Sequence, residues 1–183
     1  MNSYMKNALL ASIAAVAMTA AASAFAQSTH EKTGVNQALA TSQKTQDFVT
    51  TATQSDMLEI QSSKLALQKS DSAKTKTFAQ KMIDDHTKTS TELKGLASSG
   101  KVKVNAPSTL DKAHEAKLDN LAKLAGKDFT KQYDEMQVSA HKEAVSLFER
   151  YAKDGDNPEL KSFASKTLPH LQEHLKMAQD LER

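Results

Sequence analysis

The sequence predicts an all-α protein folded as a bundle of four long helices, and three observations predict it. Apolar residues recur at helical spacing through most of the chain after about residue 45. Glycine and proline are scarce, at five and three in 183 residues, and fall almost entirely at the ends of the periodic segments. No stretch shows the apolar–polar alternation, bounded by turn residues, that is typical of strands.

The first 26 residues have the pattern of a secretory signal peptide. Lys6 precedes an uncharged, alanine-rich run that ends in Ala-Phe-Ala, the small-residue pattern cut by signal peptidase. The run is short for a membrane span, so we expect cleavage, export to a periplasm and no stable membrane anchor. Residues 27–44 are polar and predicted to be a flexible lead-in. Residues 45–183 are predicted to form one helical domain.

Composition excludes several classes of function. The chain has no cysteine, which excludes disulfides, thiolate metal sites and catalytic thiols. Lys and Arg number 24 against 22 Asp and Glu, so the chain lacks the basic excess of a nucleic-acid-binding protein. It also lacks a glycine-rich phosphate loop and the strand–turn–helix nucleophile motif of hydrolases. We therefore expect no nucleic-acid partner and predict no catalytic residue.

Turn and capping residues divide the domain into segments. Helix one is predicted from Thr45 to Lys69, and helix two begins after the cap Ser72 and ends at Ser98. Three further helices are predicted with these boundaries: a shorter one opened by Ser108, with Asp111 completing a capping box, and ended by Gly126; a long one from Phe129 to Lys153, capped by Asp128; and a last one that starts at Pro158 after the cap Asn157.

The position of the shorter helix predicts the connectivity. Each long helix of about 25 residues is about 37 Å long, and the shorter one is about 27 Å. Tight turns make the first two long helices antiparallel, and likewise the last two. The middle connection is nearly long enough to cross the bundle from end to end, which is the connectivity of ferritin-like bundles. A five-helix bundle without a crossover is the alternative.

Each long helix carries an ionisable residue on or beside its apolar face. These residues are Glu59, His86, His141 and His174, and each lies near the middle of its helix. Burying one unpaired charge costs several kcal/mol, so four such groups at one depth are better explained if they meet. Asp56, Asp85, Asp134 and His170 lie near them and could join the cluster.

Two interpretations of this cluster stay open. Imidazole and carboxylate groups suit a transition metal, with iron, zinc or manganese as the candidates. Alternatively, the same groups form a buried hydrogen-bond network that only specifies the packing. The metal pattern of di-iron bundles is missing, because Ile83, Val138 and Leu171 stand where Glu-x-x-His motifs would place glutamate.

Three segments carry a resemblance to a known family. They are the helix-one to helix-two stretch with Asp85 and His86, the Phe-x-x-x-Tyr segment before His141, and the final Leu-Pro-x-Leu-x-x-His-Leu at 168–175. Together they resemble the bacterial exported domain-of-unknown-function family 4142 over residues 44–181. The resemblance implies a ferritin-like fold and places Glu59, Asp85, His86, His141 and His174 at family-typical positions. It implies no reaction, substrate or metal.

The first functional hypothesis is a non-enzymatic, stress-related periplasmic protein whose inner Glu/Asp/His cluster binds a transition metal. The second is a redox metalloenzyme that acts on peroxide or oxygen. The third is a structural or partner-binding helical module of the cell envelope that uses its lysine-rich outer faces.

Overall fold

The computed structural model describes residues 34–100 and 102–183, which contain five helices and no strand. The predicted all-α bundle is thus confirmed. The predicted signal peptide and residues 27–33 of the lead-in lie outside the described residues. Among the described helices, none is long and apolar enough to cross a membrane. The helices are α1 (Gly34–Lys69), α2 (Ala73–Ser98), α3 (Lys112–Ala122), α4 (Gly126–Asp154) and α5 (Pro158–Leu181).

Two of the predicted helix caps are present. The hydroxyl of Ser72 accepts a hydrogen bond from the backbone N–H of Thr75, at 3.1 Å, at the start of α2. The side chain of Asn157 accepts one from the backbone N–H of Leu160, at 3.0 Å, and Pro158 takes the first position of α5. Side-chain acceptors at these positions satisfy backbone donors that have no partner inside the helix.

Three helix starts differ from the predicted ones. α1 begins at Gly34, so residues 34–44 of the predicted lead-in are helical. α3 begins after Asp111, whose carboxylate caps His114, and not at Ser108. The predicted helix end at Gly126 is wrong, because α3 ends at Ala122. Gly126, with φ of 58°, instead opens α4, ahead of the predicted cap Asp128. A glycine tolerates this left-handed conformation without steric cost.

Hydrogen bonds between helices fix their directions. Along α1 and α4, Thr45 pairs with Tyr151 and Ser63 with Tyr133, at 2.7 and 2.8 Å. The residue numbers rise on one helix as they fall on the other, so α1 and α4 are antiparallel. α1 and α2 are antiparallel too, because only the short turn at 70–72 joins them. α2 and α4 therefore run parallel, and the segment that joins them must return along the bundle.

The connection between α2 and α4 follows α1 from Gln46 to its last residue, Lys69. Gln46 bonds the backbone of Asn105, at 2.9 and 3.0 Å. Further along, the Gln54 side chain donates to the carbonyl of Thr109 and accepts from the N–H of Asp111, both at 2.9 Å. At the far end, the Lys69 ammonium donates to the carbonyl oxygen of Ala122 at 2.8 Å. The predicted long crossover is therefore present, and side chains of α1 hold it in place.

A polar layer divides the interior into two apolar clusters. On α2, His86 lies between Met82 of one cluster and Leu93 of the other. On α5, His174 lies between Leu171 and Ala178, again of different clusters. The same alternation on α1 and α4 places Asp56, Glu59 and His141 in this layer, and the buried Gln137 adjoins it through the contact of its carbonyl oxygen with His141. Apolar packing above and below therefore shields the layer from water.

Gly155, which follows α4, provides a test of the packing at one end of the bundle. A Cβ at this position would lie 2.6 Å from the ring of Tyr151 and would also clash with its backbone oxygen. Gly155→Ala is expected to lower the free energy of unfolding by about 1–3 kcal/mol because of this overpacking. Gly95→Ala is the matched control: it lies inside α2 with open space around it, so we expect stabilisation of about 0.5–1 kcal/mol. Urea unfolding measures both, and equal effects of the two substitutions would contradict the expectation.

Candidate metal centre

Three histidines from three different helices converge in the polar layer. One ring nitrogen of each of His86, His141 and His174 lies within 4.8 Å of the corresponding nitrogen of the other two. Their ring centroids are 5.5–5.7 Å apart. All three side chains are buried, at 1–3 % exposure. The convergence predicted from their positions along the helices is therefore present.

The outer nitrogen of each ring is held by an acceptor. His86 Nδ1 lies 2.7 Å from a carboxylate oxygen of Asp56, and His141 Nδ1 lies 2.9 Å from the carbonyl oxygen of Gln137. His174 Nε2 lies 3.0 Å from Asp85. Since a carbonyl and a carboxylate only accept, each of these nitrogens carries the hydrogen.

The inner nitrogens are consequently free. His86 Nε2, His141 Nε2 and His174 Nδ1 are buried and have no hydrogen-bond partner among the described residues. An unpartnered buried nitrogen costs free energy, and three together are unusual for a network that serves packing alone. Histidines that bind metals share this arrangement, in which one nitrogen is anchored to an acceptor and the other is directed at the ion.

Electrostatics keep two of the rings neutral. Burial, together with the charge of the neighbouring His86, lowers the pKa of His141 to about 4, although the hydrogen bond to the carbonyl of Gln137 acts in the opposite direction. Burial likewise lowers the pKa of His174 to about 4, together with His86 and His141. At neutral pH both rings therefore carry a lone pair on the inner nitrogen, which is the form that coordinates a metal.

His86 differs because a carboxylate is its direct partner. Burial lowers the pKa of His86, but the hydrogen bond and charge of Asp56 outweigh burial, so the net shift is upward. The charges of Glu59 and Asp85 act in the same direction. Asp56 is itself buried and also accepts from the Ser90 hydroxyl at 3.0 Å, which fixes the orientation of the His86 ring.

Glu59 is the most deeply buried carboxylate in this layer, at 1 % exposure. Its pKa is raised to about 7 by burial and by the charge of Asp56, which together outweigh the lowering effects of the His86 charge and the Gln137 amide. The Gln137 amide is near enough to lower the pKa of Glu59, yet neither oxygen of Glu59 forms a hydrogen bond of acceptable geometry with any described residue. Neither oxygen joins the group of three nitrogens within 4.8 Å. Glu59 therefore lies beside the histidines as an unsatisfied buried acceptor.

The other predicted site residues fall into two groups. Asp56 and Asp85 contact histidines of the centre, as described above. Asp85 is partly exposed and also accepts from Lys81 at 2.8 Å. Burial raises its pKa, but the hydrogen bonds from Lys81 and His174 prevail and lower it to about 2. By contrast, Asp134 accepts from Thr75 at 3.1 Å near the start of α2, and His170 is exposed.

Gln137 belongs to the centre, although no pattern in the sequence singles it out. Its carbonyl oxygen anchors His141, and its side chain, fully buried, lies 3.5 Å from the Ser62 hydroxyl. The available signal was the four-residue spacing between Gln137 and His141, which puts the carbonyl of one beneath the ring of the other. That spacing is common in helices, and alone it does not distinguish a metal centre.

The geometry fits a small metal ion. In a tetrahedral site with metal–nitrogen bonds of about 2.0–2.1 Å, the ligand nitrogens lie roughly 3.4 Å apart. The histidine nitrogens, within 4.8 Å of one another, need to approach by about 1 Å or less each, which small rotations of the side chains supply. Three imidazole ligands with a nearby carboxylate suit zinc, copper, iron or nickel better than magnesium or calcium.

Comparisons with known proteins agree with the fold. The solved structure described as "CopM in the Cu(I)-bound form" superposes with a TM-score of 0.60 at 20 % sequence identity, covering 74 % of this chain and 93 % of that chain. A search of curated proteins gives no match. The model of a family described as "Domain of unknown function (DUF4142)" matches residues 30–181. This match spans most of the chain and includes every residue of the centre, so the protein belongs to the DUF4142 family.

Proposed function

We propose that this protein binds one transition-metal ion through His86, His141 and His174. The observation that carries the proposal is that three buried histidines each have one ring nitrogen without a hydrogen-bond partner among the described residues, and that one ring nitrogen of each lies within 4.8 Å of the others. A hydrogen-bond network that served only packing would give each of these nitrogens a hydrogen-bond partner, since each unsatisfied group costs about 1–3 kcal/mol. A metal ion satisfies all three nitrogens at once. Its positive charge also offsets the negative charge of the buried Glu59 carboxylate.

Zinc, copper, iron and nickel all suit imidazole ligands, and affinity rises towards copper in this series. CopM is described as binding Cu(I), which makes copper one of the metals to compare. We also place the protein in the periplasm, since residues 1–26 have the pattern of a cleaved signal peptide. A periplasmic fraction that contains the chain starting at Gln27 supports this location, whereas a cytoplasmic chain that retains Met1 contradicts it.

The test is metal uptake by the purified, metal-stripped protein. Equilibrium dialysis against Zn²⁺, Cu²⁺ or Co²⁺ is expected to give one ion per chain, and dialysis against Mg²⁺ none. A metal that binds only the native state raises the melting temperature of the protein. The expected rise is about 5–10 °C when the free metal concentration is a hundred times the dissociation constant. His141→Phe is expected to abolish both the uptake and this rise.

His170→Ala is the matched control, because this histidine lies on α5 but is exposed. It is expected to keep full uptake and the full rise in melting temperature. His174→Leu serves as a second loss variant in case His141→Phe fails to fold, which far-UV circular dichroism reveals. Folded His141→Phe or His174→Leu protein that still takes up one ion would refute the proposal.

A further inference from the structure

The buried layer holds more unsatisfied atoms than the three histidine nitrogens. Both oxygens of Glu59 and the side-chain oxygen of Gln137 are buried and have no hydrogen-bond partner among the described residues. These two residues come from α1 and α4, the helices that also provide Asp56 and His141. Three unpartnered acceptors therefore share the buried polar layer with three unpartnered histidine nitrogens, and a metal ion bound by the histidines alone would leave the acceptors unsatisfied.

The position of Glu59 indicates how it takes part. Its oxygens do not join the histidine nitrogens within 4.8 Å, although the two groups are close enough for Glu59 and His86 to influence each other's charge. A direct ligand would need to lie about 2 Å from the metal. A carboxylate one step further out can instead accept a hydrogen bond from a water molecule that is itself bound to the metal.

We propose that the metal ion keeps a fourth, exchangeable coordination position, an inference that rests on the metal site proposed above. A water molecule that donates a hydrogen bond to Glu59 occupies this position, and small anions such as azide can replace it. One water satisfies several groups at once. Its oxygen completes four-coordination, which three histidines leave incomplete, and its hydrogens reach free acceptors on Glu59 and Gln137. A site with three protein ligands and one water is typical of metal centres with an open position, whereas structural sites use four protein ligands.

The test uses the Co²⁺-loaded full-length protein, because the visible absorption of Co²⁺ reports its coordination. Adding azide is expected to change the spectrum saturably, as the anion replaces the water. Glu59→Gln is expected to retain one Co²⁺ per chain at saturation and to bind azide about tenfold more tightly, because the carboxylate that repels the anion is gone. Glu143→Gln, an exposed position on the same helix as His141, is expected to match the wild type.

The outcomes separate the two proposals. If the wild type takes up no Co²⁺, both the metal site and the open position are refuted. If it takes up one Co²⁺ but its spectrum does not respond to azide, only the open position is refuted. A spectrum of Glu59→Gln that shows the loss of a ligand, with no azide response in the wild type, would identify Glu59 as a direct ligand instead.

Discussion

Glu59→Gln is expected to stabilise the metal-free protein and to weaken its affinity for metal. The native state holds the Glu59 carboxyl in a buried site that raises its pKa from 4.5 to about 7. Above pH 7 the carboxylate is ionised in both the folded and the unfolded chain, so the folded state bears the full cost of a buried charge. Removing the charge should raise the free energy of unfolding at pH 8 by as much as about 3 kcal/mol.

The pH dependence of this gain has a definite sign. Because the folded pKa is raised, the native state binds more protons than the unfolded state between pH 4.5 and about 7. The stability contribution of Glu59 is therefore most favourable below pH 4.5 and declines as the pH rises through this window. The advantage of Glu59→Gln should accordingly be absent at pH 4.5, grow with pH and level off above about 7. Urea unfolding of the metal-free proteins across this range measures it.

The same substitution should weaken metal binding by about ten- to a hundredfold, because the centre loses the negative charge that offsets the ion. Glu59 would then lower the stability of the metal-free protein and raise its affinity for metal. Such a combination is expected of a residue that serves function and not packing. Glu143→Gln again serves as the control and should change neither quantity. If Glu59→Gln were less stable than the wild type at pH 8, the carboxylate would have a favourable partner and this account would fail.

The helices and their buried faces were predictable because both depend on local sequence. Helical spacing placed His86, His141 and His174 on or beside their apolar faces and near the middle of their helices, and caps such as Ser72 located the ends of these helices closely enough to compare depths. The three helices that carry the histidines are of similar length, at 24–29 residues, and either parallel or antiparallel packing of such helices brings mid-helix residues to one level. For this reason the convergence of the three histidines followed from the sequence before any coordinates.

The pairing of side chains within the layer was not predictable. Asp85 precedes His86 in the sequence, yet it contacts His174 of α5, and His86 is held by Asp56 of α1. Which acceptor meets which ring depends on the rotation of each helix about its axis and on its offset along the bundle. Packing of apolar side chains from several helices sets both, and no local pattern encodes them. The position of Glu59 was not predictable for the same reason. The sequence pattern groups Glu59 with the three histidines, but its carboxylate lies outside the group of three histidine nitrogens.

Asp56→Ala is expected to have the opposite effect to Glu59→Gln, although the two carboxylates lie one turn apart on α1. Asp56 and His86 form a pair at 2.7 Å in which both side chains are nearly inaccessible, at 6 % and 3 % exposure. Removing one partner leaves the other buried without compensation, which typically costs about 3–5 kcal/mol. Asp56→Asn retains an acceptor for His86 and should cost less, about 1–2 kcal/mol.

The pH dependence distinguishes a charge pair from a simple loss of packing. The pKa of His86 is raised above its ordinary value of 6.5 by Asp56, against the opposing effect of burial. Stability from the charged pair is therefore complete below pH 6.5 and is lost as the pH rises through the folded pKa of His86. Asp56→Ala should cost most at pH 6 and less at pH 9, where only the neutral hydrogen bond is lost. A cost that is the same at both pH values would show that Asp56 acts through packing. At pH 8, Asp56→Ala should lower the free energy of unfolding and Glu59→Gln should raise it. Such opposite effects would show that the partner of a buried carboxylate decides whether its charge stabilises the fold.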